Sequence, residues 1–165
     1  MSDQIDARLF KINLTGLLDE TVYGVDEAAS GSRYLDRNAG WLPTLSGLDA
    51  KAASTPAFPG ATTVVAQLRH TIYYFEIVLA FSRGEEPSMD WPGSFEPTSA
   101  TDGEFAALTG RLEAVTEELR AAAEGAGPWT DDRVGDYMSI LVHTAYHLGS
   151  LRQLIRAAAG LSSAA

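Results

Sequence analysis

The chain of 165 residues has no cysteine, only three histidines, and 12 basic residues against 22 acidic ones. Without cysteine there are no disulfides, no thiolate metal ligands and no cysteine nucleophile, so any thiol chemistry needs sulfur from outside the chain. The few Lys and Arg residues are scattered and leave a net charge of −10. That balance argues against a nucleic-acid partner and an anionic membrane surface, because phosphate contacts need clustered positive charge. Long hydrophobic runs are missing too, and nothing approaches the roughly 18 to 20 apolar residues of a membrane span. The opening Met-Ser-Asp-Gln-Ile-Asp has neither a basic region nor an apolar core, so no membrane association and a cytoplasmic location are expected. Strand-like alternation, internal repeats, a glycine-rich phosphate loop and a nucleophile elbow are also absent. A chain of 165 residues suits one domain spanning 1–165.

What is present centres on His143-Thr-Ala-Tyr-His147. Two residues four apart on a helix differ by about 40° in azimuth, so both imidazoles reach the same space from successive turns. The remaining histidine, His70, lies about seventy residues earlier in another apolar stretch, so all the histidine fits one three-nitrogen constellation. An HxxxH pair also occurs as a solvated or simply hydrogen-bonded pair. Here all three rings sit in apolar helical segments, where an unpaired imidazole is costly to bury.

Helical spacing of Ile5, Leu9, Ile12, Leu17, Leu18 and Val22 predicts a first helix from Ile5 to Tyr23, stopped by Gly24. Its Asp19 and Glu20 read as solvated carboxylates, with service to a metal as the alternative. Residues 25–60, rich in Gly, Ser, Pro and Ala, read as a long connection with one short helix near Trp41, Leu42, Leu45 and Leu48, and Pro43 in its first turn. Thr62 or Thr63 caps a second long helix reaching Phe81 and stopping at Gly84. This helix is apolar on two faces: Ala66, His70, Tyr73, Tyr74, Ile77 and Phe81 form one, Leu68, Ile72, Phe75 and Leu79 the other. Such a helix is either central or covered from outside.

Residues 83–104 form a second long loop with six acidic groups and one Arg, and its Trp91 and Phe95 are expected to fold back over the helices, with a lid role as one reading. Phe105, Leu108, Leu112, Val115, Leu119 and Ala122 predict an amphipathic third helix over 103–124. Thr130-Asp131-Asp132 starts the last helix, expected to end at Ala159 before Gly160. Its inner stripe holds Asp136, Ile140, His143, His147, Ser150, Leu151 and Leu154, and its far stripe Val134, Tyr137, Leu141, Leu148 and Ile155. The fold class is therefore all-α, a four-helix bundle with long loops after helices one and two. The far stripes of helices two and four exceed what one small core can cover, so a homodimer through one of them is expected.

The His70 position on the second helix, followed by His143, His147 and Gly149 as HxxxHxG on the fourth, resembles the DinB/YfiT-like superfamily of bacterial four-helix proteins. The stretch Gly60-Ala-Thr-Thr-Val-Val-Ala-Gln-Leu-Arg-His70 looks like the start of that family's second helix, and the Asp90-Trp91 loop like a feature of one of its branches. The resemblance covers most of the chain. It implies an up-down-down-up bundle, a divalent metal held by three histidines, commonly a homodimer, and transfer or isomerisation chemistry with thiols such as bacillithiol or mycothiol. One departure stands out: many members follow HxG with Gln, whereas this chain has Ser150 and places Gln153 a turn later.

Three neutral histidines without a fourth protein ligand leave an open position, as in a catalytic rather than a sealed structural site. Zn, Ni, Fe and Mn all accept imidazole. A bound ion lowers the pKa of water or of a thiol co-substrate. The expected function is thus a metal-dependent enzyme acting on a small-molecule substrate, with thiol S-transfer ahead of hydrolysis. A non-catalytic dimeric metal- or ligand-binding module is the competing reading. Asp136, two turns before His143, reads as a helix-start carboxylate with a base as the alternative, and Tyr73, Tyr74 and Tyr146 are candidate pocket walls.

Overall fold

In the computed structural model, which describes residues 6–25, 28 and 30–162, the chain is all-helical, with no strand among the described residues. Ile5, expected to open the first helix, lies outside that range. Helix α1 spans Ala7–Tyr23; the Asp6 carboxylate caps it by accepting the Arg8 N–H, and Gly24 ends it at φ 85°. A side chain at Gly40 would run into the backbone of Gly24. These two glycines let the end of α1 meet the start of α2 (Trp41–Leu45).

The long connection holds two short helices where one was expected. Asp49 accepts the Ala52 N–H and so restarts the helix as α3 (Ala50–Ala53) after α2 has closed. Trp41 is fully buried and its Nε1 donates to the Thr144 carbonyl, fastening this connection to the last helix.

Helix α4 (Val64–Ser82) begins at Thr63, whose hydroxyl accepts the Ala66 N–H. A 3-10 turn at Gly93–Phe95 interrupts the acidic loop, and α5 (Asp102–Gly125) opens with a capping box between Thr101 and Glu104. In α6 (Asp131–Ser162) the Thr130 hydroxyl accepts the Arg133 N–H. This helix runs through Gly160 instead of stopping before it; a lone glycine costs a helix only about 1 kcal/mol.

Helices α4 and α1 each pack against both α5 and α6. Lys11–Glu124, Asp19–Arg120 and Tyr23–Glu117 contacts run α1 against α5, whereas Glu76–Arg111 and Arg83–Glu118 run α4 alongside α5. Gln67 meets His147 and His70 meets His143, so α4 opposes α6. One hydrophobic cluster draws on all six α-helices.

The far stripe of α4 is covered within the chain: Leu68, Ile72, Phe75 and Leu79 are buried, as are Tyr137 and Leu148 of the far stripe of α6, whose Val134, Leu141 and Ile155 are half-buried. The far stripe of α4 therefore needs no second copy to cover it. Helix α4 is central, so one stripe serves each flanking helix. Removing the Phe75 ring should cost about 3–5 kcal/mol of unfolding free energy, and Leu9→Ala, at a side chain 56% exposed, under about 0.5 kcal/mol. Urea denaturation of Phe75→Ala at two protein concentrations tests this, with the same loss expected at both.

Candidate metal centre

Helical spacing on two opposed helices builds the site. Gln67, His70 and Tyr74 lie three and four apart on α4 and point one way, while His143 and His147 face them from successive turns of α6. His70 Nε2 lies 3.1 Å from His143 Nε2, and one ligand nitrogen from each of the three rings falls within 4.8 Å of the others. Tetrahedral coordination with metal–nitrogen bonds of about 2.0–2.1 Å places neighbouring nitrogens about 3.3 Å apart. The His70–His143 pair already has about that separation, and the two edges to His147 are no longer than 4.8 Å.

The hydrogen-bond network assigns the tautomers, hydrogens themselves being inferred from it. Ser94 Oγ donates to the Trp91 carbonyl at 2.6 Å, so its lone pair accepts from His70 Nδ1 at 2.7 Å. His147 Nδ1 faces the Gln67 side-chain carbonyl, which can only accept. Both rings therefore carry their proton on Nδ1 and keep the Nε2 lone pair. His143 has no such anchor: its Nδ1 is buried without a partner.

Aromatic rings enclose the cluster. Phe95 stacks on His70 at 3.9 Å, the Tyr74 ring centre lies 3.8 Å from that of His143, and Trp91 approaches His70, Tyr73 and Tyr74. The expectation that Trp91 and Phe95 fold back from the acidic loop holds. His70 and His147 are buried and His143 is only partly so, and the exposed Tyr146 packs edge-on against His147.

No carboxylate hydrogen-bonds to any of the three rings among the described residues. Burial, and then the neighbouring imidazoles, push His143 and His147 down to about 4, and burial lowers His70. The rings are thus neutral donors near pH 7, the form that coordinates a metal.

Other sequence candidates do other work. Asp136 lines a separate cavity of about 150 Å³ with Val78, Phe81 and Ser82, which none of the three histidines enters. Its carboxyl is raised by burial and then by Asp132. Asp19 pairs with Arg120 at 3.3 Å. Burial raises the Glu20 carboxyl, but N–H bonds from Leu35, Arg33 and Tyr34 more than reverse this and tie the 33–35 segment to α1. Tyr73 accepts the Asp90 N–H and so holds the acidic loop. Ser150 Oγ bonds back to the Tyr146 carbonyl, and Gln153 is exposed.

Gln67 and Ser94 were not among the sequence candidates. A polar residue one turn before His70, and a serine set between Trp91 and Phe95, were the available signals. No family model, curated protein or solved structure matches the chain.

Buried neutral histidines tie stability to pH. Unfolded imidazole titrates near 6.5 whereas folded His143 and His147 are held at about 4, so the unfolded chain binds more protons between those values. Stability should be complete above about pH 6.5 and decline as pH falls towards 4. Glu117 and Glu118, held down chiefly by Tyr23 and Arg111 respectively, titrate below 4.5, and the raised carboxyls of Asp19 and Asp136 work in the opposite direction, so a loss in the upper part of this window belongs to the histidines. The thermal midpoint of metal-free protein should drop from pH 7 to 5, and His147→Gln should flatten that slope. A midpoint constant over this range would mean that the rings stay hydrated.

Proposed function

We propose that this chain is a DinB-like protein in which His70, His143 and His147 hold one divalent metal, Zn, Ni, Fe or Mn, and that it is an enzyme catalysing attack by a small thiol on an electrophilic substrate. The observation that carries the reading is the convergence of three imidazoles, one ligand nitrogen from each within 4.8 Å of the others, with His70 and His147 held as Nδ1–H tautomers. The helix senses support an up-down-down-up four-helix bundle, since α1 opposes α5, α5 parallels α4 and α4 opposes α6.

A divalent ion at this point supplies Lewis acidity that brings the pKa of a thiol or water towards neutral. The residues do the rest. His70 is held by Ser94 and stacked by Phe95, and His147 is held by Gln67, so two of the three donors are fixed before anything binds. Trp91, Tyr74 and Phe95 displace water from the ring faces, which strengthens every polar interaction in the cluster. The sulfur must come from a co-substrate, as the chain has no cysteine.

Elemental analysis should give about one metal per chain for the wild type and a marked loss for His143→Ala; equal occupancy would remove the metal reading. Metal-loaded protein incubated with bacillithiol, mycothiol, glutathione or cysteine and a generic electrophile should form adducts faster than His147→Ala, followed by mass spectrometry. Metal bound without turnover on any thiol would favour a hydrolase or a binding module instead.

The proposal includes a homodimer through the outer face of α6, where Met138, Val142 and Tyr146 are 52%, 69% and 69% exposed. No Asp, Glu, Lys or Arg occurs from Tyr137 to Leu151, so this is a stretch where two copies carrying −10 each would meet without charge repulsion. Light scattering after size exclusion should give twice the chain mass, and Val142→Glu should return it to the monomer value.

A further inference from the structure

We infer that Gln67 is a positioning residue that acts through His147 to keep the metal centre free of added negative charge, and that the centre consequently selects an anionic fourth ligand such as a thiolate. The inference rests on the metal reading above and extends it to the residues behind the ligands and to the charge of what binds.

Gln67 is buried, and its side-chain carbonyl accepts from His147 Nδ1. It sits three residues before His70, so the helical turn that presents one ligand also supplies the anchor for another. A metal-bound histidine commonly donates its second ring N–H to a carboxylate, which pushes electron density into the ring and lowers the effective charge of the centre. Here the two anchors are an amide and a hydroxyl, Gln67 and Ser94, and the third ring, His143, has none. Six neutral groups, three rings, two anchors and the Tyr74 ring against His143, surround the site.

A divalent ion in this setting keeps its full formal charge of two. A thiolate or hydroxide then gains more than a neutral ligand does, and more than it would beside a carboxylate-anchored histidine. The amide has a second effect. Because its carbonyl cannot donate, it fixes the Nδ1–H tautomer of His147 and with it the direction of the Nε2 lone pair.

The test is a series of three chains, wild type, Gln67→Leu and Gln67→Glu, loaded with Co(II) as a spectroscopic probe. Metal affinity is read by competition with a chromophoric chelator. Fourth-ligand affinity is read from the visible Co(II) absorption on titration with azide and with 2-mercaptoethanol. Gln67→Leu should lose metal affinity on the order of 10- to 100-fold, since His147 is no longer held. Gln67→Glu should bind metal at least as tightly as wild type, yet bind azide and the thiol about tenfold or more weakly. A side chain that merely filled space would not produce opposite changes in these two affinities. If Gln67→Leu does not fold, Gln67→Met serves in its place, and Gln67→Glu alone still separates the outcomes.

Gln67→Glu taking the anions as tightly as wild type, or Gln67→Leu holding metal as wild type does, would overturn this inference and leave the metal reading standing. Wild type taking up no Co(II) would overturn both.

Discussion

Three imidazoles buried against one another, without a carboxylate to neutralise a charge, constrain the rest of this molecule. Protonating any one of them places a cation beside two other rings in an apolar enclosure, and burial together with that proximity holds them neutral. Neutral rings still have polar nitrogens to satisfy. His70 and His147 each use one on a neighbouring side chain, and what remains points into the space between α4 and α6. The α4–α6 contact is therefore more than apolar packing. Its register is set where Gln67 meets His147 and His70 meets His143, because sliding one helix by a turn would leave four polar groups buried and unmatched.

The acidic loop follows from the same requirement. His70 needs an acceptor for Nδ1–H and a cover for its ring face, and the loop supplies both from one 3-10 turn: Ser94 accepts the proton and Phe95 stacks on the ring. The turn is pinned in its own right. Asp90 accepts the Gly93 N–H while its backbone donates to Tyr73, and a side chain at Gly93 would collide with the Asp90 carboxylate. The segment that looks most like a linker by composition is thus tied at both of its faces, to His70 on one and to α4 through Tyr73 on the other.

The four long helices and the histidine cluster were legible in the sequence because both are periodic signals. His143 and His147 share a face at any helical phase, and His70 joins them once its stripe is read. The starts at Thr63 and Thr130 were legible for a local reason: each offers a hydroxyl to an N–H three residues on, as Thr101, which was passed over, also does. What covers the far stripe of α4 was not legible, because burial by α5 and burial by a second copy impose the same pattern of apolar residues. The connection after α1 was misread as one short helix, since only a single aspartate, Asp49, restarts the chain. Gln67 was not legible because its partner, His147, lies 80 residues away on another helix, and spacing along α4 alone does not say that the two meet. Asp136 shows the opposite error, for azimuth on the helix aligned it with His143 while distance along the axis put it in another cavity.

The charge of the whole chain bears on the proposed chemistry in a way the site alone does not. A surface carrying −10 draws cations and repels anions, and four acidic residues, Glu85, Glu86, Asp90 and Glu96, sit in the loop that covers His70. Phosphorylated substrates would meet this field before they reached the cluster. A thiol group adds no charge of its own to the molecule that carries it, because with an ordinary pKa of about 8.5 it is mostly neutral at pH 7. It needs to become an anion only on reaching the cluster, where three neutral nitrogens and two neutral anchors leave a bound divalent ion uncompensated. An acidic exterior around a neutral donor set therefore favours a reactant that arrives protonated and gives up its proton at the site, a requirement that a thiol or water meets and a pre-formed anion does not.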